Sequence, residues 1–537
     1  MIRYILLPGR HHVLTQFQVD YLHDILKAGT AKTLENESVT LAPETEVIWA
    51  ITSANHANTR RNPIPGFRRL GMVEYTTQKE QIPSQNYLIS DIDHKDNFAH
   101  YVIEEIHLQS NAAVAMTPSN CVVACSTPPV IEQYQKLGFH ILPLELEDMA
   151  TDKIFTRRAW ELIEEIAEVK DAWIEQDDIK ADMADACIDY FKKYRLDQTV
   201  IDIFQDPLQE ASSEGDLTTS RDYDVYRQAF EDNAFRKVEE FSQYVVPGRI
   251  IDIGSATGQT IKLMTEIKRL EESDFYGVEA ARPLYTICQQ RKENGAFGNS
   301  NVFFYQRNIM QSALFPKNSV NTAITMALTH EVESYMGREA LLEFIRRVYE
   351  MTAPGGVYIN YDVVGPDDKD DIVYVQFTDD DGENPDDVHR ELDDTQLKLF
   401  LDTLSSKARF LRFAQDFRKA EGDTIKYTSE IVDGSEYIVL RRADLCDYLA
   451  KKDYTENWHS EAHERFCYWE YQDWVEALTS VGFEIEPASR RITNDWLIEN
   501  RFAPAAKVFE KDTSGAFVES PQPVTNMLVV ARKPENV

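Results

Sequence analysis

A carboxylate and two glycines are closely spaced in residues 249–266, RIIDIGSATGQTIKLMTE. An apolar strand is predicted to end at Asp252, and an amphipathic helix is predicted to begin directly after Gly258. Gly254 and Gly258 allow a tight turn and close approach of a ligand, while the helix N-terminus offers unpaired N–H groups. The next predicted strand ends at Glu279, 25 residues after Gly254, where a carboxylate can bind ribose hydroxyls. The pattern therefore indicates a nucleotide-like ligand.

The spacing of these glycines differs from the G-x-G-x-x-G dinucleotide fingerprint. DIGSATG resembles instead the first motif of the class I S-adenosylmethionine-dependent methyltransferases. The similarity covers residues 225–365 and resumes at 468–533, with YGVE, QRNI, AITMALTHEVESY and MTAPGGVYINYD following in the family's order. It implies a methyltransferase fold, S-adenosyl-L-methionine as the cofactor and methyl transfer as the activity. The alternative is that the glycines form only a tight turn.

The resemblance also implies which residues bind the cofactor. Those expected at its amino-acid end are Asp252, Gly254, Ser255 and Gly258. Glu279 is expected to bind the ribose. Asn308 stands near the adenine amino group, where many members of the family have Asp, so an adenine contact is expected but its strength is open.

Polar residues directly after the predicted fourth strand could act on the acceptor. THEVESY brings His330, Glu331 and Tyr335 to the carboxyl edge of the sheet, where open α/β proteins bind ligands. Methyl transfer from a sulfonium releases a neutral thioether, so the enzyme must mainly position the acceptor and remove its proton. We predict a general base at His330, an orienting or substrate-binding role for Glu331, and a further contact at Asp362. The alternative is that His330 and Glu331 only cap the following segment.

A second cluster of potential ligands lies in NWHSEAHERFCYW, where His459, His463 and Cys467 recur every four residues. On a helix these side chains would share a face and could bind zinc. No fourth ligand is evident, and such a triplet is more typical of a packed aromatic surface, so we predict no metal. KKDYTENW and RRITNDWLIENR mix aromatic and amide side chains and are expected to help to form the acceptor pocket.

Another glycine turn, ILLPGRHHVLTQFQ, joins the first predicted strand to a helix. The motif order over residues 1–150 resembles the nucleotidyltransferase superfamily that includes nicotinamide-mononucleotide adenylyltransferases. The matching residues are Gly9, Arg10, Thr15, Ser53, Asn62, Pro63, Arg69 and Asp91-Ile92. Phe17 and Gln18 replace the Gly and the final His of the family motif, and no convincing I-S-x-T-x-x-R segment follows.

The two replacements bear on catalysis, because the family's histidines and arginines stabilise charge that develops on the transferred nucleotidyl phosphate. Glutamine cannot supply a cation there. We therefore predict a degenerate nucleotide-binding or scaffolding domain. Its tentative nucleotide contacts are Gly9, Arg10, Thr15, Gln18 and Arg69. Active adenylyl transfer is the alternative, because His11 and His12 could substitute for the missing histidine.

The order of the predicted strands and helices around these motifs indicates two Rossmann-like doubly wound α/β domains, the second with an inserted α+β lid. The predicted domains are residues 1–150 (nucleotidyltransferase-like), 151–221 (helical connector), 222–365 with 468–537 (methyltransferase) and 366–467 (inserted lid or substrate subdomain). Within the lid, Asp433-Gly434 indicates the turn of a β-hairpin.

Composition restricts the class of partner. The 537-residue chain carries 91 acidic and 56 basic residues, a net charge of -35, which disfavours general nucleic-acid binding. The sequence shows neither the apolar region of a signal peptide nor a run long enough for a membrane helix, so we expect a cytoplasmic protein without a membrane partner. Six scattered cysteines predict reduced thiols.

The sequence therefore favours an S-adenosylmethionine-dependent methyltransferase that acts on a small-molecule or nucleotide-linked acceptor. One alternative is a bifunctional nucleotidyltransferase and methyltransferase. Another is a binding protein that senses the cofactor without turnover. A homodimer is compatible with the sequence.

Overall fold

The computed structural model describes residues 1–91, 97–148, 153–154, 156–205, 234–310 and 314–535. Its internal contacts divide the chain into two compact units, Met1–Leu217 and Thr218–Val537. The motif match at Ile92 and the predicted domain boundary at residue 221 lie outside the described residues. Among the residues that are described, no helix has the length and apolarity needed to cross a bilayer.

The first unit is built on a mainly parallel sheet with helices on both faces. Its strands are β1 (Ile2–Gly9), β2 (Thr30–Lys32), β3 (Ser38–Ile51), β4 (Ser84–Leu88), β5 (Cys121–Ala124), β6 (His140–Leu142), β7 (Leu146–Asp148) and β8 (Lys153–Ile154). Its helices are α1 (Gln16–Ala28), α2 (Gly66–Lys79), α3 (Phe98–Gln109), α4 (Pro128–Lys136), α5 (Ala159–Val169), α6 (Asp177–Asp182), α7 (Asp185–Tyr194) and α8 (Leu196–Phe204).

The order of this sheet is β2-β3-β1-β5-β6, with β4 also paired to β3. Among the described strands of this sheet, only the β2–β3 pair is antiparallel. Successive residues of β1 enter different cores, Leu6 on one face and Leu7 on the other, because side chains alternate along a strand. Both faces are therefore covered, as in a doubly wound fold. The strand order reverses at β1, because β3 lies on one side of it and β5 on the other. This reversal point is beside the turn at Gly9.

The helices predicted to form a connector pack on this sheet. Leu162 of α5, Phe191 of α7 and Val200 of α8 share one buried cluster with Leu7 and Trp49 of the sheet. Their amphipathic faces cover apolar strands that would otherwise face water. The helical segment is therefore one layer of the first unit.

The second unit contains two sheets. Its strands are β9 (Arg249–Ile253), β10 (Asp274–Glu279), β11 (Val302–Gln306), β12 (Val320–Met326), β13 (Thr352–Val363), β14 (Ile372–Phe377), β15 (Thr428–Val432), β16 (Ser435–Arg441), β17 (Glu484–Ile485), β18 (Arg490–Ile492), β19 (Ala506–Lys511), β20 (Phe517–Glu519) and β21 (Asn526–Arg532). Its helices are α9 (234–241), α10 (Gln259–Thr265), α11 (Arg282–Glu293), α12 (Thr329–Met336), α13 (Arg338–Met351), α14 (Asp394–Thr403), α15 (Ser406–Asp416), α16 (Arg442–Lys451), α17 (Trp458–His463), α18 (Tyr471–Ser480), α19 (Asp495–Leu497) and α20 (Ala503–Ala505).

The larger sheet of this unit has the order β11-β10-β9-β12-β13-β21-β17, with β18 also paired to β21. Strands β9 to β13 pair in parallel, while β21 is antiparallel to both β13 and β17. The predicted doubly wound α/β class is confirmed. Its strand order reverses between β9 and β12, which makes the carboxyl ends of these strands the expected ligand edge.

The inserted subdomain is an antiparallel sheet, β15-β16-β14-β19-β20, covered by helices. The predicted hairpin is confirmed, because β15 and β16 pair across Asp433 and Gly434, whose φ angles are 51° and 80°. Strands β19 and β20 come from chain that we predicted to belong to the methyltransferase domain. They join this sheet through β19, which pairs with β14 on the side opposite β16.

Candidate active site

The turn after β9 has the backbone that its glycines allow. Gly254 and Gly258 have φ angles of 72° and 75°, in the left-handed region. A Cβ on Gly254 would lie 2.9 Å from Leu328 Cδ1, and one on Gly258 would lie 3.0 Å from Phe304 Cζ. Both positions therefore require glycine for conformation and for space. Ala256 between them is also left-handed, at 45°, a feature that its residue type did not indicate.

Two buried carboxylates flank this turn. Asp252 is 2% exposed, and its Oδ2 has no hydrogen-bond partner among the described residues. Glu279, at the end of β10, accepts hydrogen bonds from the backbone N–H groups of Ala256 and Ala281, each at 2.8 Å. An ionised carboxylate can accept about four hydrogen bonds, so Glu279 keeps capacity for a ligand hydroxyl.

The pKa of each carboxyl group reflects this environment. Burial raises the pKa of Glu279 to about 7, although the two backbone hydrogen bonds oppose the shift. Burial, and then the charge of Glu279, raise the pKa of Asp252 well above its usual value. A ligand that brings a positive charge or hydroxyl groups would compensate for the lost hydration of both carboxylates.

The end of β11 adds two buried amides to the same edge. Asn308 Oδ1 accepts a hydrogen bond from the N–H of Met310 at 2.9 Å. Gln306 pairs in register with Glu279, and in the described part of the chain its buried Nε2 has no hydrogen-bond partner. Sequence reasoning missed Gln306, although it lies in the QRNI motif, because its place beside Glu279 depends on strand pairing. Ser255, also predicted at the cofactor, is fully buried.

The start of α12 brings His330 between two carboxylates. Its Nδ1 lies 2.7 Å from Asp362 Oδ1, and its Nε2 lies 3.5 Å from Glu464 Oε2. Burial lowers the pKa of His330, but Asp362 and Glu464 outweigh burial and raise it well above the usual value. Each ring nitrogen therefore has a carboxylate neighbour. The general-base role of His330 stays a prediction.

Asp362, rather than Glu331, orients the imidazole. Asp362 ends β13, and its Oδ2 accepts hydrogen bonds from the N–H and the hydroxyl of Thr329, at 2.7 Å and 2.6 Å. Glu331 instead offers a carboxylate oxygen close to His330 and Glu464. Its negative charge also raises the pKa of Glu279.

Glu464 was missed by sequence reasoning. It follows α17 in the inserted subdomain, is 2% exposed, and lies 3.4 Å from the hydroxyl of Tyr335. The same hydroxyl lies 3.2 Å from Ser460 Oγ. Tyr335 thus joins the cluster around His330, as its position after β12 predicted. Glu464 belongs to the NWHSEAHERFCYW motif, which drew attention for its histidines and its cysteine instead.

The predicted zinc candidates of that motif have other neighbours. His459 lies 3.6 Å from Asp394, and His463 lies 3.1 Å from Glu421. Cys467 is buried beside Cys446. The three side chains therefore do not point to one common partner.

A buried lysine holds the segment that carries Glu464. Lys451 Nζ is fully buried, lies 2.7 Å from Asp447 Oδ1 and donates to the backbone oxygen of Glu464. Asp447 in turn accepts a hydrogen bond from the N–H of Phe466 at 2.8 Å. The ring of Phe466 packs edge-on against His330 at 4.8 Å. The inserted subdomain therefore places Glu464 through a fixed network.

The tentative nucleotide contacts of the first unit take part in local structure. Thr15 and Gln18 form the capping box of α1, and Gln18 Nε2 donates to Glu145 at 2.7 Å. Arg69 is fully buried. Four of its five N–H donors bond to backbone oxygens, which belong to Ile64, Arg10, Thr52 and Ser53.

A small cavity of about 190 Å³ lies beside this turn, lined in part by Gly9, Arg10 and His12. The Arg10 guanidinium stacks over Trp160 at 4.9 Å and donates to Arg61 O at 2.7 Å. Burial lowers the pKa of His11 to about 4, and burial with nearby Arg69 and Arg10 lowers that of His12 well below its usual range. Both shifts favour the neutral imidazole.

Comparison with known proteins gives no family. No protein-family model and no curated protein matches the chain. A methyltransferase dependent on S-adenosylmethionine from Mesorhizobium loti is 14% identical, with 56% of this chain and 100% of that chain covered and a TM-score of 0.31. Phosphoethanolamine N-methyltransferase 2 of Haemonchus contortus, bound to S-adenosyl-L-methionine, is 11% identical, with 59% and 60% covered and a TM-score of 0.29.

The [4+2]-cyclase SpnF is similar to the same degree, at 15% identity, with 58% of this chain and 85% of that chain covered and a TM-score of 0.29. Similarity at this level does not distinguish methyl transfer from other chemistry on one fold. The function must therefore be argued from the residues of the site.

Proposed function

We propose that the second unit is an S-adenosyl-L-methionine-dependent methyltransferase whose cofactor binds across the carboxyl ends of β9, β10 and β11. The observation that carries this proposal is the pair of buried carboxylates, Asp252 and Glu279, at a turn whose two glycines are left-handed. The sheet adds support, because an antiparallel β21 between β13 and β17 is the arrangement of the class I methyltransferase fold.

The residues at this edge fit the parts of the cofactor. Among the described residues, Asp252 has an unpaired buried oxygen for the ammonium group of the cofactor, and Glu279 can still accept hydrogen bonds from the ribose hydroxyls. Gln306 Nε2 is an unpaired donor, in the described residues, on the strand that also leads to Asn308. Bound there, the cofactor supplies a methyl group activated by the sulfonium. The protein supplies binding and orientation.

The acceptor is proposed to bind beside the segment that follows β12. His330, Glu331, Tyr335 and Glu464 surround this place. Their acidic character, like the net charge of -35, favours a small-molecule or nucleotide-linked acceptor over a nucleic acid. The first unit is proposed to serve as a scaffold or a degenerate nucleotide-binding domain, because its motif residues bond to the protein itself.

A pair of glycine variants tests cofactor binding. Gly254 and Gly295 both have positive φ, but only at Gly254 would a Cβ meet a neighbour, since nothing lies within 4 Å at Gly295. We expect Gly254→Ala to weaken binding of S-adenosylhomocysteine by more than about tenfold in calorimetry, and Gly295→Ala to leave it unchanged. A folded Gly254→Ala protein with wild-type affinity would contradict the proposed site.

A labelling experiment tests turnover. The protein is incubated with methyl-deuterated S-adenosylmethionine and a cell extract, and small-molecule, protein and RNA fractions are searched by mass spectrometry. Label that is absent with Gly254→Ala would establish transfer and identify the acceptor class. Cofactor binding without label in any fraction would favour a sensor.

A further inference from the structure

Three potential metal ligands converge on the acceptor side of the site. One ring nitrogen of His330 and one carboxylate oxygen each from Glu331 and Glu464 all lie within 4.8 Å of one another. His330 Nε2 and Glu464 Oε2 are 3.5 Å apart. Two donors bound about 2.1 Å from one cation lie roughly 3.0 to 3.4 Å apart at octahedral and tetrahedral angles. A contraction of the cluster would therefore bring three ligand atoms to coordination distances.

The environment of His330 is that of a metal ligand. A histidine that binds a metal with one ring nitrogen almost always donates the other N–H to a carboxylate or a carbonyl. Asp362 takes this role at His330 Nδ1, at 2.7 Å, and is itself held by the N–H and the hydroxyl of Thr329. The ring orientation thus leaves Nε2 on the side of Glu464.

The charge of the cluster also favours a cation. Asp362, Glu331 and Glu464 bring three carboxylates around one imidazole, and both Asp362 and Glu464 are almost completely buried. Burying several carboxylates close together is costly, and a bound divalent cation would offset two of their negative charges.

We infer that His330, Glu331 and Glu464 bind a divalent transition-metal cation that holds the methyl acceptor. One imidazole with two carboxylates suits Mn²⁺, Fe²⁺ or Zn²⁺ better than a cation that prefers oxygen ligands alone. Three protein ligands leave coordination positions for an acceptor oxygen. This site replaces our prediction of no metal, and it uses a carboxylate that sequence reasoning missed.

A bound cation would also help the acceptor to lose its proton. A bound divalent cation lowers the pKa of a coordinated hydroxyl group, so that solvent can remove the proton. An acceptor that bears a hydroxyl or a carboxylate group is therefore the expected class. This step rests on the proposed methyl transfer, whereas binding of the cation does not.

Binding of Mn²⁺ to the chelator-treated full-length protein tests the site. The paramagnetic resonance signal of free Mn²⁺ falls when the ion binds, which gives stoichiometry and affinity. We expect one tight ion per chain, and weakening by about tenfold or more in Glu464→Gln and in Glu331→Gln. Glu339→Gln changes an exposed glutamate on the neighbouring helix α13 and should bind as the wild type does. This control matters because a chain of net charge -35 also attracts cations weakly to its surface.

Affinity for S-adenosylhomocysteine, measured on the same samples, separates the two proposals. A wild-type protein that binds S-adenosylhomocysteine but no tight Mn²⁺ would overturn the metal site and leave the methyltransferase proposal intact. Tight Mn²⁺ without S-adenosylhomocysteine binding would do the reverse. Circular dichroism checks folding, and the less buried Glu331→Gln keeps the test valid if Glu464→Gln unfolds. Equal Mn²⁺ affinity in the folded variants and the wild type would also overturn the site.

Discussion

The two units each have a turn at the point where a parallel sheet reverses its strand order, but they use the polar residues around it differently. After β1, Thr15, Gln18 and Arg69 bond to the protein itself. After β9, Asp252 keeps an unpaired buried oxygen among the described residues. A glycine turn therefore indicates where a ligand could bind, while unsatisfied polar atoms indicate where binding would stabilise the protein.

The charges at the two turns are opposite. Arg10 and Arg69 lie at the first turn with two histidines whose pKa values are lowered, and carboxylates surround the second. The first arrangement suits an anion, but most N–H groups of Arg69 are already bonded to backbone oxygens. The second suits a cationic or hydroxyl-bearing ligand, because carboxylate oxygens there can accept its hydrogen bonds. The contrast predicts which substitutions affect folding and which affect binding.

The largest effect is expected at the first turn, on stability. Arg69→Ala removes four hydrogen bonds to backbone oxygens, so we expect the free energy of unfolding to fall by about 3 to 5 kcal/mol. Affinity of the folded fraction for S-adenosylhomocysteine should not change. Urea unfolding and calorimetry check both. Arg68→Ala, which removes a neighbouring arginine stacked on Tyr194, should cost about 1 kcal/mol or less. Equal losses of unfolding free energy in the two variants would contradict the structural role of Arg69.

A pH dependence is expected at the second turn. The pKa of Glu279 is raised from 4.5 to about 7, so its contribution to stability is complete below pH 4.5 and is lost as the pH rises to about 7. In Glu279→Gln this loss is absent. Relative to the wild type without cofactor, the variant should therefore gain up to about 3 kcal/mol between pH 4.5 and pH 8.

Unfolding by urea across this pH range measures the difference between variant and wild type. Glu272→Gln, an exposed change in the same unit, should show no such trend. A constant difference between Glu279→Gln and the wild type would mean that Glu279 is ionised throughout, and that its burial is compensated in the free protein.

A smaller free-energy change is expected for ligand binding at Asp252. Asp252→Asn keeps the shape of the side chain but removes the charge, so affinity for S-adenosylhomocysteine should fall by about 10- to 100-fold. Asp274→Asn at the opposite, amino edge of the same sheet is the matched control and should bind normally. Unchanged affinity of Asp252→Asn for S-adenosylhomocysteine would contradict the proposed electrostatic difference between the two turns.

The smallest effect is expected for Thr15→Ala. It removes one half of the capping box of α1 and should cost about 1 kcal/mol of stability, without effect on the second unit. Thermal unfolding measures the stability. If the wild type binds a nucleotide and a folded Thr15→Ala protein does not, the first turn is instead a nucleotide-binding site.

Much of the fold could be predicted from the sequence, since strands, helices and turns follow from local patterns. The alternation of apolar strands with amphipathic helices predicted both parallel sheets. The DG pair predicted the turn between β15 and β16. The pairing of β19 with β14 could not be predicted, because a short edge strand carries little information about its partner.

The sequence by itself determined the glycine turn after β9, because the required backbone angles depend on residue type at single positions. It also determined which carboxylates end β9 and β10. Only the tertiary structure decided that Asp362 orients His330 and that Glu464, 129 residues after Tyr335, joins them. Such convergence depends on how an inserted subdomain packs against a sheet edge. No local preference records that packing, because it results from many weak contacts between distant segments.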